Sequence, residues 1–141
     1  MKLTNTLTMK RKAGMTLLEL TVVILVLLSL ISILFVGARA WKKGSDRSAN
    51  ILNVRNCQQA LRGHQNTRGY ADGATIVTAD IFGTAGYLKQ PTPPITGQTY
   101  TFATTYPVTG SLFVTNPTIG GADGEYFYTT AEITAGKVSD W

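Results

Sequence analysis

From Leu20 to Ala38 the chain runs for nineteen residues without a charged side chain, L-T-V-V-I-L-V-L-L-S-L-I-S-I-L-F-V-G-A. As an α-helix this stretch covers about 28 Å, close to the roughly 30 Å hydrocarbon thickness of a bilayer. Its apolar residues surround the helix on every side, so they do not mark the single buried stripe of a soluble amphipathic helix. A buried core helix of this kind would swamp the rest of a 141-residue chain, which has room for one modest domain and not for a two-domain enzyme. The segment therefore reads as a membrane span or a targeting segment. An ordinary secretory signal has a shorter apolar region, roughly 7 to 15 residues, followed by small residues at a cleavage site. Here the run is longer, and Arg39 and Trp41 crowd the small residues Gly37, Ala38 and Ala40.

The formal charge of +5 invites a nucleic-acid or membrane-surface reading, but its distribution argues otherwise. Residues 1–14 carry +4, residues 15–38 carry −1, residues 39–68 carry +6 and residues 69–141 carry −4. The chain is thus four electrostatic blocks. Arg47, Arg55, Arg62 and Arg68 lack the interleaved aromatics that single-strand binding uses, and no nucleic-acid partner is expected. A solvated helix face that meets acidic groups is the simpler reading, and the −4 block of one copy facing the +6 block of another is the expected pairing. Cys57 is the only cysteine, which excludes an intrachain disulfide, and it reads as a small apolar residue on a helix face.

Glu19 is the informative residue, because a carboxylate at the start of an apolar span is expensive and asks for a partner. In the uncut chain the nearby cations are Arg11 and Lys12, about two turns upstream. A cut between Gly14 and Met15 would create an α-amine one helical turn before Glu19, where the helix dipole also favours the acid.

Lys10-Arg11-Lys12-Ala13-Gly14, followed by Met15-Thr16-Leu17-Leu18-Glu19-Leu20 and the apolar run, resembles the class III signal of type IV pilins and type II secretion pseudopilins. The resemblance covers residues 10–38. It implies cleavage by a prepilin peptidase after Gly14, N-methylation of Met15, and an assembly role for Glu19 against the amino terminus of a neighbouring subunit. Where many relatives carry a proline late in the span, this chain has Val36 and Gly37, which leans towards the pseudopilins.

Beyond the span, Ile51, Val54, Cys57, Leu61 and His64 recur at spacings of three and four, an amphipathic continuation of the same helix. The helix should run from Thr16 to about Arg68, roughly 80 Å, with Gly69 as its stop. His64 has no second ligand at metal spacing and reads as a packing or surface residue. Residues 69–141 then change character, with fifteen threonines and ten glycines. Thr78 to Phe82 reads as a short helical turn with Thr78 as N-cap, and Pro91, Pro93 and Pro94 mark a connector. Thr99–Phe102, Ser111–Thr115 and Glu125–Thr129 alternate as strands. Tyr100, Tyr106, Tyr126 and Tyr128 offer either an exposed adhesive surface or packing onto the helix, with packing preferred.

The expected fold is α+β and pilin-like, a long N-terminal α-helix packed on a small antiparallel sheet of about three strands. The expected organisation is a leader (1–14), a transmembrane and assembly helix (15–40), an amphipathic stalk (41–68) and a β-rich head (69–141). Gly121-Ala122-Asp123-Gly124-Glu125 resembles the calcium loop of major pseudopilins, with Asp123, Glu125 and Asp140 as the available acids. Calcium wants six to eight oxygens, so a plain turn is favoured and no cofactor is expected. No nucleophile–base pair or phosphate loop stands out, and no enzymatic activity is expected. The resemblance implies a filament subunit whose partners are its own kind and related pilins, prepilin peptidase, an inner-membrane assembly platform and lipid. It implies a single pass of the bacterial inner membrane with the head periplasmic, then a pseudopilus or a surface pilus. A minor pilin whose head binds DNA, a surface or a secreted substrate, and a monomeric signal-anchored periplasmic protein, remain the alternatives.

Overall fold

A computed structural model describes Gly14 and residues 16–141. Three helices follow in chain order: α1 (Leu17–Arg68), α2 (Thr78–Ile81) and α3 (Thr130–Thr134). The chain divides into two compact units between Ala38 and Arg39, and α1 contributes to both.

In the first unit, the residues of α1 from Leu17 to Ala38 are all exposed. α1 is long and apolar enough to cross a membrane. Its three hydroxyl residues are spent locally: Thr21 Oγ1 donates to Leu18 O, Ser29 Oγ to Val26 O and Ser32 Oγ to Leu28 O, all at 2.7–2.8 Å. In hydrocarbon an unsatisfied donor costs several kcal/mol, so this back-bonding makes the three polar positions compatible with lipid.

In the second unit, α1 buries one face composed of Asn50, Val54, Cys57, Gln58, Leu61, His64 and Gln65. The spacing of three and four is the one expected, but four of the seven residues are polar. Val54, Cys57 and Leu61 pack into one core with Ile81, Phe82, Tyr100, Tyr106, Phe113, Val114, Ile119, Phe127 and Val138. α1 stops where Gly69 turns to φ +69°, a conformation glycine enters without steric cost, and Tyr70 N–H returns to Gln65 O at 3.1 Å.

The expected three-stranded sheet is absent: the described residues contain no strand, and the α+β, β-rich head is replaced by irregular chain wrapped on a helix. Pairing is reduced to isolated bridges, Thr75 with Thr105, Phe102 with Val114 and Phe82 with Leu88. Around the second of these, Ala103 N donates to Phe113 O and Thr115 N to Thr101 O, so the first two expected strands do meet, but over one bridge only. The physical reason is that side-chain amides take the backbone groups a ladder would need. Gln58 Nε2 donates to Ser111 O at 3.1 Å while its Oε1 accepts from Phe113 N at 2.8 Å. Asn116 accepts from Thr101 N and donates to Thr99 O. Asn50 Nδ2 donates to both Pro117 O and Tyr126 O at 2.7 Å. The third expected strand, Glu125–Thr129, instead ends as the cap of α3: Thr129 Oγ1 accepts from Glu132 N, and Thr129 N donates to Glu132 Oε2, a reciprocal capping box. The α2 turn is present, but Thr78 lies inside it and the N-cap is Val77, without a side-chain cap bond.

Asn50 is fully buried, and besides its two donations it accepts from Tyr100 Oη at 2.6 Å. Asn50→Ala strands two carbonyls and a hydroxyl. At about 1–3 kcal/mol per buried group left unpaired, a loss of at least ~2 kcal/mol is expected, roughly 10 °C in melting midpoint. Thermal unfolding of the detergent-solubilised chain by near-ultraviolet circular dichroism checks this, with the exposed Leu52→Ala as the silent control.

Candidate functional site

At the start of α1, Thr16 N donates to Glu19 Oε2 at 2.8 Å and Glu19 N donates to Thr16 Oγ1 at 3.2 Å. This is a second capping box, built on the same T-x-x-E spacing as Thr129 and Glu132, and it holds the carboxylate one turn inside the helix. Among the described residues the partner of the Glu19 carboxylate is therefore the Thr16 backbone. Gly14 is exposed. The expected N-methylation residue, Met15, and the leader residues 1–13, including Arg11 and Lys12, lie outside the described residues.

The basic stretch of α1 meets its acidic complement within the chain. Lys43 Nζ lies 2.9 Å from Glu125 Oε1, Arg47 Nη2 3.5 Å from Glu132 Oε2, and Arg62 Nη1 3.7 Å from Asp72 Oδ1. Three of the head's six acids are thus engaged by α1 of the same chain. The hydrogen bond from Lys43 and the Ala122 N–H hold the Glu125 carboxyl below the usual carboxylate range; the Thr129 backbone and hydroxyl do the same for Glu132. Bonding to Glu125 raises Lys43 in turn.

Two of the three acids named for calcium are bonded within the chain. Asp123 Oδ1 accepts from Thr130 N at 2.9 Å, and Glu125 holds Lys43 and Ala122 N. Asp140 lines a cavity together with Arg62 and Trp141. Among the described residues no group of three His, Cys, Asp or Glu side chains gathers as a metal site. The loop is a tight turn, with Glu125 N returning to Ala122 O and Gly124 at φ +76°.

His64 is buried and its Nδ1 hydrogen-bonds Tyr106 Oη at 2.5 Å, with Tyr70 and Tyr87 rings 5.5–5.7 Å away. Tyr100 and Tyr106 are buried, and Tyr126 and Tyr128 pack against the core. Cys57 is fully buried, and burial pushes its thiol up to about 12. Sequence reasoning missed Asn50, Gln58 and the α3 cap. The first two stand four residues either side of Val54, on the apolar stripe by spacing though not by polarity. The cap was announced by T-x-x-E at 129–132.

Compared with protein-family models, curated proteins and solved structures, the chain matches none.

Two measurements follow from this geometry. The depressed carboxyls of Glu125 and Glu132 contribute stability that is present above the ordinary carboxylate value, about 4.3, and lost as pH falls through their lower folded values. The melting midpoint should therefore drop in acid, modestly because both groups are solvent-screened, and Glu125→Gln should flatten the profile. Cys57 should resist a water-soluble thiol reagent at pH 8 until the chain is unfolded; rapid labelling of the native protein would contradict its burial.

Proposed function

We propose that the chain is a prepilin-type filament subunit: anchored in the bacterial inner membrane by α1, cut after Gly14, methylated at Met15, and polymerised through the first half of α1 into a type IV pilus-like or type II secretion pseudopilus filament. The observation that carries this reading is an α1 whose first 22 residues are exposed on every side, beginning at a carboxylate fixed one turn from its start. Such a helix needs an apolar environment, either lipid or the same segment of other copies. Trp41, 79% exposed, and Lys42 follow this stretch at the place where aromatic and basic side chains favour a membrane–water boundary. The role is mechanical: helices leave lipid and bury against one another, and Glu19 recruits and registers the incoming subunit through its amine. Prepilin peptidase and an inner-membrane assembly platform are the partners this requires.

The capping box favours one second reading, a monomeric single-pass anchored protein in which Glu19 does nothing but start the helix. The two separate cleanly. Glutamine preserves the capping box but removes the charge. Under the filament reading, Glu19→Gln and Glu19→Leu both insert normally and both fail to assemble. Filaments from Glu19→Gln at wild-type yield would leave only the cap. The intact mass of the membrane-extracted chain tests the processing directly: loss of residues 1–14 with one added methyl group is expected, and a full-length chain or a cut near Ala40 would remove the main support.

A further inference from the structure

His64, Arg68, Asp80, Ala85, Gly86 and Tyr87 line a cavity of about 330 Å³ beside the end of α1. His64 is only 2% exposed, and its Nδ1 is held by Tyr106 Oη. Among the described residues Arg62 Nη2 is the one side-chain nitrogen or oxygen that is both sealed from solvent and without a hydrogen bond. His64 Nε2 makes no hydrogen bond either, so it keeps surface on the cavity that His64 lines. A ring otherwise buried thus turns one free nitrogen towards a ligand, and the Tyr87 ring stands edge-on to it at 5.5 Å between centroids.

The two charges of the wall are uncommitted. The ion pairs of the described residues join Lys43 to Glu125, Arg47 to Glu132 and Arg62 to Asp72, and neither Arg68 nor Asp80 takes part. Burial raises the Tyr106 phenol, Tyr70 and Asp80 raise it further, and Arg68 lowers it, so both charges act on the hydroxyl that holds His64. One guanidinium against one carboxylate leaves the wall formally neutral, with its signs separated. A lone anion meets Asp80 as a like charge, and a lone cation meets Arg68. A metal dication meets Arg68 too, and no three His, Cys, Asp or Glu side chains gather to hold one. A molecule that carries both a carboxylate and an ammonium satisfies both sides, because guanidinium matches carboxylate in geometry and Asp80 receives the ammonium.

We propose that this cavity binds a small zwitterion of the amino-acid class, its carboxylate on Arg68, its ammonium on Asp80, and His64 Nε2 as a third polar contact. The inference is independent of the filament reading, because every residue of the wall lies between 64 and 87 whatever the chain assembles into.

The chain has a single histidine, so imidazole resonances report this cavity alone. The test uses the full chain, isotope-labelled in the histidine ring, in detergent micelles at fixed neutral pH. It is titrated to tens of millimolar with glycine, β-alanine and γ-aminobutyrate, which carry their two charges at increasing separation. At least one of the three should shift the His64 resonances saturably. It should bind about tenfold or more tightly than sodium acetate or methylammonium chloride at equal ionic strength, since each of those keeps one charge-assisted contact only. Arg68→Gln and Asp80→Asn should each weaken that zwitterion about tenfold, and Asp80→Asn should tighten acetate. Both positions are exposed, near-ultraviolet circular dichroism checks that the variants fold, and the comparison of ligands on the unaltered chain does not depend on them. The proposal is overturned if none of the three gives a saturable shift, if acetate or methylammonium binds as tightly as the best zwitterion, or if both folded variants keep the wild-type affinity.

Discussion

The fold of residues 39–141 depends on side-chain amides of α1 standing in for a sheet. Asn50 and Gln58 are buried, and between them they satisfy four backbone groups of the irregular chain laid over the helix. A loop-rich domain must find partners for each N–H and C=O it buries, and strands ordinarily provide them in pairs. Here the helix provides them one at a time, and Phe113, Val114 and Phe127 then pack around the positions so fixed. Asn50 reaches furthest, because Tyr100 Oη also donates to it and so joins the aromatic core to the same residue.

The ion pairs serve the same attachment at the surface. Lys43 with Glu125 and Arg47 with Glu132 place two charge contacts on the loop and the short helix that carry Asn50's and Arg47's backbone acceptors, Tyr126 O and Phe127 O. Exposed pairs of this kind contribute little energy individually, so they orient the segment more than they stabilise it. Part of the sorting of charge along the sequence, basic then acidic, is thus matched within the chain.

Much of the helix was legible in the sequence because length and spacing dictate it. Nineteen uncharged residues, a three-four stripe at Val54, Cys57 and Leu61, and Gly69 with Arg68 before it mark α1 and its end. The head was not legible in the same way. Thr99–Phe102 and Ser111–Thr115 alternate as strands do, yet both neighbours Phe113 and Val114 are buried and the pairing stops after one bridge. Alternation reports that a segment has two faces; it does not report whether a glutamine four residues beyond a core valine will claim its N–H. The same limit applies to the acids near Asp123, whose spacing suits a cation but whose oxygens are taken by Thr130 and Lys43. At the start of α1 the T-x-x-E spacing at Thr16 and Glu19 was readable as a cap, and the value of Glu19 as a charge drew attention away from it.

The inward bonding of Thr21, Ser29 and Ser32 has a consequence for anything that lies alongside α1. With each hydroxyl proton given to a carbonyl of its own helix, the stretch from Leu20 to Ala38 offers neighbouring helices no polar donor at fixed height. Side-by-side contact there rests on dispersion, which depends on how closely apolar side chains interdigitate. The lengthwise register of anything packed on this stretch is therefore a matter of side-chain shape and not of polar matching.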